Sequence, residues 1–419
     1  MKKRVMFYCQ SLLGIGHFIR SRELLFALRD FDVCFLYGGE IVPGFELPVW
    51  VEVVYLPALK SDSKFQQLYV VESQESLPEI QTRRKEALRA AFDRFSPDIL
   101  LIELFPFGRR KFNFELLPLL AHTRATRPIT KIVCSLRDIL VRRPDQARYE
   151  DEVCALMNQY FDLLLIHADP KLQRLEETFD RVTGIDCPIR YTGYVAQPSH
   201  GKHATSFKPE QLAARNNESL EQSSKSGQAQ SILSSKRVGN DPFILVSIGG
   251  GRVGHELITC VLEAETRLTI EPRIHILTGP HMPDEEFQRL RRQVACRSNI
   301  SIQHHTTEFL NWLLRADLSI SMAGYNTCMD ILSAGVPALV WPFSEHENDE
   351  QILRARKLER LGYVSVLDPA RLDPDYLASE ISCRLNTPAP APEIELDLQG
   401  AARTAEFLMS ISTEESKNQ

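Results

Sequence analysis

The segment from Leu318 to Leu361 constrains the fold of this chain more than any other part of its sequence. Short apolar runs at 318–322 and 338–341 are typical of buried strands, and each precedes a stretch with helical periodicity. Gly335 ends the first predicted helix and Gly362 ends the second. Strands and helices that alternate in this way predict a parallel sheet with helical crossovers, which is an α/β fold.

Polar groups that suit a nucleotide sugar follow both strands of this segment. The turn after the first strand consists of Gly324, Tyr325, Asn326 and Thr327. Backbone amides and the positive dipole end of the helix that starts there favour an anion. Asp330 lies one helical turn further, where a carboxylate can accept two hydrogen bonds from a diol such as ribose.

The loop after the second strand carries a second polar cluster. Its members are His346, Asp349, Glu350 and Gln351. These donors and acceptors suit the hydroxyl groups of a sugar. Two interpretations are open at this level: a nucleotide-sugar site, or an ordinary αβ unit whose acidic loop is solvated.

The segment resembles the donor-binding half of nucleotide-sugar glycosyltransferases of the GT-B type. It is most similar to family 28, the group of the peptidoglycan enzyme that transfers N-acetylglucosamine to a lipid-linked muramyl pentapeptide. The shared motifs are Ala323-Gly324, Thr327, Asp330, Ala334-Gly335-Val336-Pro337, Pro342-Phe343, Asp349-Glu350-Gln351 and Leu358-Glu359-Arg360-Leu361-Gly362. The family usually has Glu where this chain has Asp330, which is one methylene shorter.

The resemblance implies two Rossmann-like domains that face each other across a cleft. We expect an N-terminal acceptor domain at 1–196, a flexible linker or insertion at 197–240, and a C-terminal donor domain at 241–386. Residues 387–419 would form a linker, a helix that returns to the first domain, and a frayed tail. The implied activity moves a sugar from a nucleotide diphosphate, UDP in particular, to an acceptor hydroxyl. Inversion follows from the same resemblance. We expect no metal and no bound cofactor, because amides at 324–327 and the loop at 249–252 would compensate the charge on the departing nucleotide.

A run of glycines follows the apolar strand at 243–248 and predicts a second contact with the donor. Gly250 and Gly251 expose backbone amides, and Arg252 adds a permanent positive charge. A tight turn is the alternative interpretation. The resemblance places this loop near the donor diphosphate and places backbone groups around Phe309 near the nucleotide base.

The first strand, at 5–9, leads into another glycine-containing loop. Gly14 and Gly16 lie at a strand-to-helix turn, where anions and sugars often bind. A third glycine is missing near Ile19, so we predict no nicotinamide site. His17 is either a packed histidine at a helix start or, as the resemblance implies, the general base for the acceptor hydroxyl.

The strand at 98–104 is followed by an unusual mixture of rings and charges. Four phenylalanines between 105 and 114 alternate with Arg109, Arg110 and Lys111. This patch would bind an anionic or lipid-linked acceptor or a membrane surface, or else its rings pack while the cations extend into water. Glu103, at the end of the strand, either contacts the acceptor or has a structural role.

The composition limits which classes of partner and which cellular compartment we expect for this chain. The formal net charge of −6 over 419 residues argues against nucleic acid. Nine cysteines without a CxxC pair suggest reduced thiols in the cytoplasm and no metal site. The Asp373-Pro374-Asp375 sequence imitates a metal motif, but it precedes a predicted helix and is interpreted as an N-cap.

Several functional alternatives stay open on the sequence alone. No apolar run is long enough to span a membrane, so we expect a cytoplasmic protein, either free or peripheral to the inner face of the membrane. The acceptor is either lipid-linked or a small metabolite. A nucleotide-sugar hydrolase or epimerase of the same fold, and a non-catalytic partner of another glycosyltransferase, are the competing functions.

Overall fold

The computed structural model describes residues 2–12, 14–42, 44–61, 67–71, 74–198, 241–343, 349–387 and 392–411. Most of the predicted insertion at 197–240 lies outside these residues, as do His346 and the predicted tail after residue 411. The chain divides into two compact units. The first falls within Met1–Ala196, Ser344–Lys357 and Ile394–Gln419, and the second within Gln197–Phe343 and Leu358–Glu393.

The first unit is built on a parallel sheet of seven strands. Its strands are Arg4–Cys9 (β1), Asp32–Tyr37 (β2), Val51–Tyr55 (β3), Ile99–Glu103 (β6), Lys131–Arg137 (β7), Leu163–His167 (β8) and Ile189–Tyr191 (β9). Leu59–Ser61 (β4) and Leu68–Val70 (β5) form a separate antiparallel ribbon. The sheet order is β3-β2-β1-β6-β7-β8-β9. The direction of winding therefore reverses between β1 and β6, as in doubly wound Rossmann-like folds.

Helices cover the sheet of the first unit, which explains why its central strands are apolar on both faces. The helices are Gly16–Ala27, Leu77–Phe95, Asn113–Thr126, Gln146–Tyr160 and Gly400–Ser410. In the last of these, Leu408 is fully buried in the same core as Phe7 and Leu24. The C-terminal helix therefore completes the core of the first unit.

The second unit repeats the same plan with six parallel strands. They are Phe243–Ser247 (β10), Arg273–Leu277 (β11), Ile300–Gln303 (β12), Leu318–Met322 (β13), Ala338–Trp341 (β14) and Ser365–Val366 (β15), in the order β12-β11-β10-β13-β14-β15. The accompanying helices are His255–Glu265, Asp284–Val294, Phe309–Leu313, Tyr325–Ala334, Glu350–Arg360 and Pro374–Asn386. Here the winding reverses between β10 and β13.

The segment Ser344–Lys357 departs from the predicted domain boundaries. It was expected within the donor domain at 241–386, but its described residues belong to the first unit. The reason is a buried ion pair: Arg354 Nη2 lies 2.8 Å from Asp138 Oδ1, and neither side chain is exposed. The helix Glu350–Arg360 thus begins in one unit and ends in the other.

Two local predictions about helix ends are confirmed. Gly335 takes a left-handed conformation with φ of 64° and ends the helix Tyr325–Ala334. Asp373 caps the helix Pro374–Asn386, because its carboxylate accepts a hydrogen bond of 2.9 Å from the Tyr376 amide. Among the described residues, no helix combines the length and apolar character that a membrane span requires.

Candidate active site

The first group of predicted site residues meets where the sheet of the first unit reverses its winding. Strands β1 and β6 pair in parallel, so their carboxyl ends lie at the same edge of the sheet. The helix Gly16–Ala27 follows β1 and carries His17 in its first turn. Glu103 is the last residue of β6. Ligands of open α/β sheets bind at such points.

His17 and Glu103 form a close pair. The imidazole Nδ1 lies 2.6 Å from Glu103 Oε1. The Glu103 side chain is completely buried, whereas 21% of the His17 side chain is exposed. Glu103 also accepts a hydrogen bond from the Arg20 guanidinium. The buried carboxylate therefore orients a histidine that solvent and ligands can still reach.

The surroundings fix the protonation states of this pair. Burial lowers the pKa of His17 to about 3, and the Arg109 and Arg20 cations act in the same direction although Glu103 opposes them. Burial alone would raise the pKa of Glu103, but His17, Arg20 and Arg109 together hold it well below its ordinary value. At neutral pH the pair consists of a neutral imidazole and a carboxylate.

The tautomer follows from this geometry. A neutral imidazole beside a carboxylate donates from Nδ1, which leaves Nε2 as the nitrogen that can accept a proton. Arg20 Nη2 also lies 3.4 Å from Nδ1, but both nitrogens are donors in this tautomer, so the shorter contact to Glu103 decides the orientation. The arrangement is that of a general base held by an acidic partner.

The other predicted residues of the first unit occupy different surroundings. A side chain added at Gly14 would meet no atom within 4 Å, so the backbone there faces open space. Gly16 opens the helix, and the preceding Ile15 provides no side-chain cap. Arg109 is only 6% exposed, with Nη2 at 3.7 Å from Glu103 Oε2. Arg110 instead pairs with Glu152.

The aromatic patch after β6 belongs mainly to the core. Phe105, Phe107 and Phe112 are at most 1% exposed. This confirms the packing interpretation for these three rings over a membrane-facing surface. Glu103 is also fully buried, which favours an orienting role for its carboxylate over the predicted contact with an acceptor.

The predicted donor residues of the second unit meet at its own reversal point. Strands β10 and β13 pair in parallel, with Ser247 opposite Ser321. The glycine loop, residues 249–252, follows the first of these strands, and the turn at 323–327 follows the second. Gly250, Gly251 and Arg252 therefore lie at the same sheet edge as Gly324 and its neighbours.

The glycine loop combines a strained path with open space. Gly251 has φ of 88°, and a β-carbon there would come within 2.4 Å of the Thr278 carbonyl oxygen. At Gly250 an added β-carbon would meet nothing within 4 Å. Arg252 is exposed. Gly251 is thus required by the fold, whereas Gly250 borders space that a ligand could fill.

The turn after β13 starts the helix Tyr325–Ala334. Gly324 is its N-cap residue and provides no side chain, so backbone amides dominate this end. Asn326 and Thr327 are half-buried, and Asp330 is 6% exposed. The helix packs against Phe309–Leu313, whose first residue was predicted near the base. Amides, a carboxylate and an open glycine loop thus lie around one sheet edge.

The predicted sugar-binding cluster has an unexpected environment. Glu350 is only 7% exposed, and its carboxylate pairs with Arg137 and, at 2.6 Å, with Arg354. These two guanidinium partners favour a structural role for Glu350 over the predicted contact with a sugar. Asp349 is exposed and Gln351 is half-buried, and both remain predictions as sugar ligands.

Sequence reasoning missed two arginines that hold these carboxylates. Arg20 follows His17 by three residues, so both side chains lie on one helix face, and this spacing could have indicated the cluster with Glu103. Arg354 follows Glu350 by four residues, a spacing that could have indicated this pair, whereas its other partner Asp138 is distant in the chain and gave no signal. Within the described ranges, no cluster of histidine, cysteine and carboxylate side chains is suited to a metal ion.

Comparison with known proteins supports the resemblance for the second unit. Residues 244–397 match the model of the glycosyltransferase family 28 C-terminal domain. The UDP-N-acetylglucosamine–N-acetylmuramyl-(pentapeptide) pyrophosphoryl-undecaprenol N-acetylglucosamine transferase of Caldanaerobacter subterraneus is 26% identical over 162 residues, which are 38% of this chain and 44% of that protein. The enzyme of the same name from Methylococcus capsulatus is 31% identical over 153 residues, covering 36% and 41%. The chain therefore matches less than half the length of these relatives.

Solved structures extend the likeness to both units. The calicheamicin glycosyltransferase shares 17% identity and a TM-score of 0.53, with 99% of this chain and 95% of that chain covered. MurG of Acinetobacter baumannii shares 13% identity and a TM-score of 0.52, with 98% and 99% covered. A putative UDP-N-acetylglucosamine 2-epimerase of Listeria monocytogenes shares 13% identity and a TM-score of 0.57, with 100% and 98% covered.

At these identities the structural likeness establishes the fold alone. The predicted fold of two Rossmann-like domains is confirmed. The chain has the GT-B fold, and its residues 244–397 match the glycosyltransferase family 28 C-terminal domain.

Proposed function

We propose that this protein is a glycosyltransferase that moves a sugar from a UDP-sugar to the hydroxyl group of an acceptor. The observation that carries the proposal is the His17–Glu103 pair, with Nδ1 and Oε1 2.6 Å apart at the reversal point of the first sheet. A packed histidine without function would need no buried carboxylate with two arginines around it. The family 28 match at 244–397 supports the glycosyltransferase class, and the relatives named as UDP-N-acetylglucosamine-dependent transferases support a UDP-sugar donor.

In the proposed reaction, His17 Nε2 takes the proton from the acceptor hydroxyl. The oxygen then forms a bond to the anomeric carbon, and the bond from that carbon to the diphosphate breaks with its electron pair on the leaving oxygen. Glu103 stabilises the imidazolium that forms, because it faces Nδ1 as a carboxylate. Attack opposite the leaving group would invert the anomeric centre.

The second unit would hold the donor. Amides at the start of the helix Tyr325–Ala334 and in the loop around Gly250 suit a diphosphate, and Arg252 adds charge. Asp330 would accept hydrogen bonds from the ribose. Because these groups already compensate the negative charge of the departing UDP, we propose that the reaction needs neither a divalent metal nor another cofactor.

The acceptor is proposed as a hydroxyl compound that is lipid-linked or a small metabolite. The curated relatives are named for a pyrophosphoryl-undecaprenol acceptor, which favours testing the lipid-linked class first. A lipid-linked acceptor would bring the protein to the inner face of a membrane as a peripheral protein.

A panel of nucleotide sugars tests the proposal. Calorimetric titration identifies the donor, and mass analysis then follows donor and products with and without lipid-linked and soluble acceptors. We expect UDP release that depends on the acceptor, continues in EDTA and is lost in His17→Ala. Free sugar without acceptor would indicate a hydrolase, and an altered donor sugar an epimerase. Binding without turnover against any acceptor would indicate a non-catalytic partner.

A further inference from the structure

A buried polar network lies directly before the loop that leads to His17. Its centre is Gln10, the first residue after β1, which is completely buried. The Gln10 side-chain amide donates hydrogen bonds to the Ser11 carbonyl oxygen at 2.8 Å and to the Gly38 carbonyl oxygen at 2.6 Å. One side chain thus joins the start of this loop to the end of the neighbouring strand β2.

An arginine and a glutamate hold Gln10 from the other side. Arg84 Nη2 donates to Gln10 Oε1 at 2.7 Å, and the same nitrogen donates to Glu115 Oε1 at 2.7 Å. Arg84 Nε donates to Glu115 Oε2, and Tyr8 donates to Glu115 Oε1, each at 2.7 Å. None of these four side chains is more than 1% exposed. The orientation of Gln10 is therefore fixed by buried, charge-assisted hydrogen bonds.

Two glycines leave the room that this network needs. A β-carbon at Gly38 would lie 2.0 Å from Gln10 Oε1 and 2.8 Å from Arg84 Nη2. A β-carbon at Gly39 would lie 2.8 Å from the β-carbon of Ser11. The end of β2 is thus shaped around Gln10 and the next residue of the loop.

We propose that Gln10 is a positioning residue for His17. It fixes where the loop leaves β1, and this loop ends in the glycine-flanked turn that starts the His17 helix. The chain from Gln10 to His17 contains Gly14 and Gly16, which do not stiffen the backbone themselves. Anchoring at its first residue keeps the imidazole at its 2.6 Å contact with Glu103. The inference rests on the proposed function of His17.

Two substitutions of Gln10 separate its contacts. Gln10→Met removes these three hydrogen bonds, and a longer one of 3.5 Å to the Leu59 carbonyl oxygen, at similar volume. Gln10→Glu keeps an acceptor for Arg84 and removes the donations to the backbone, and it keeps the test decisive if Gln10→Met does not fold. We expect at least a tenfold loss in kcat for each folded variant, with KM for the nucleotide sugar changed less than twofold. A general loss of structure would not separate kcat from KM in this way.

Gln173→Met is the matched control. Gln173 is a 2% exposed glutamine of the same unit. Its amide donates to the next carbonyl, that of Arg174, at 2.8 Å, and its Oε1 accepts from a cation, Lys357, at 2.7 Å. It repeats the chemistry of Gln10 away from the His17 loop. We expect its kcat to stay within twofold of the unsubstituted protein.

A second readout does not depend on turnover. In NMR spectra of protein labelled with ¹⁵N-histidine, the signal of the Nδ1 proton that faces Glu103 is assigned as the one that disappears in His17→Asn. We expect this signal to persist in Gln173→Met and to broaden or vanish in both Gln10 variants. A folded Gln10 variant that keeps the signal and its kcat would overturn the inference. If His17→Asn is fully active, the proposed function fails, and the signal still decides whether Gln10 positions His17.

Discussion

Replacing Glu103 by glutamine tests the chemistry assigned to the His17 pair. Glutamine has nearly the same shape and can still accept a hydrogen bond from Nδ1, so the imidazole keeps its tautomer. What disappears is the negative charge opposite the imidazolium that forms during proton transfer. The change should therefore act on kcat rather than on the binding of a donor by the second unit.

The magnitude follows from the geometry. The Nδ1 to Oε1 distance of 2.6 Å places the two charge centres about 4 Å apart. At an effective dielectric constant of about 20, unit charges at that distance attract by about 4 kcal/mol. Since about 1.4 kcal/mol corresponds to a factor of ten in rate, we expect kcat to fall about a thousandfold. This lies within the usual range of general-base effects, roughly a hundredfold to ten-thousandfold.

Steady-state UDP release with the identified donor and acceptor measures this loss. Glu103→Gln also leaves Arg20 and Arg109 without their shared carboxylate, so thermal unfolding must show that the variant is folded at the assay temperature. Glu150→Gln is the matched control, because Glu150 is a 1% exposed carboxylate of the same unit that accepts hydrogen bonds from Asp180 and Arg181 amides. A folded Glu103→Gln protein with unchanged kcat would refute the assignment.

Three further predictions concern the donor site and the buried histidines. Asp330→Ala should raise the Kd for the nucleotide sugar at least tenfold while His17→Ala leaves it unchanged; equal loss in calorimetric titration would contradict the division of roles. Gly250→Ala should weaken donor binding without lowering Tm, because its β-carbon enters open space, whereas Gly251→Ala should lower Tm, since its β-carbon would lie 2.4 Å from a carbonyl oxygen at φ of 88°. Burial lowers the pKa of His167 to about 3, so the unfolded chain binds more protons between that value and about 6.5. The free energy of unfolding should therefore fall as the pH drops through this window, by at most about 1.4 kcal/mol per pH unit. Urea titrations at several pH values should show that this free energy depends less steeply on pH in His167→Asn than in the unsubstituted protein.

Local signals in the sequence predicted the architecture of the second unit well. Apolar runs marked β13 and β14, and Gly335 marked the end of the helix between them, because only a residue that tolerates positive φ fits there. The predicted amides at 325–327 do open that helix. These features depend on neighbours within a few residues, which is why pattern reasoning reached them.

Contacts between distant residues were beyond such reasoning. The sequence offered Glu103 as an acceptor ligand or a structural residue, and only the parallel pairing of β1 with β6 brings it to His17. Glu350 looked like a sugar ligand because it stands beside Gln351, yet Arg137 lies more than two hundred residues earlier in the chain and engages its carboxylate. Periodicity carries no information about such partners.

The discontinuous make-up of the first unit has a consequence for protein engineering and for the exchange of gene segments. A chain that stops at Ala196 would lack Leu408 from its apolar core and would leave the Asp138 carboxylate without Arg354, the cation with which it forms a buried ion pair. Swapping the whole C-terminal half with a relative removes both supports at once. Recombination confined to 243–343 leaves them in place, so chimeras built within that stretch are the ones we expect to fold.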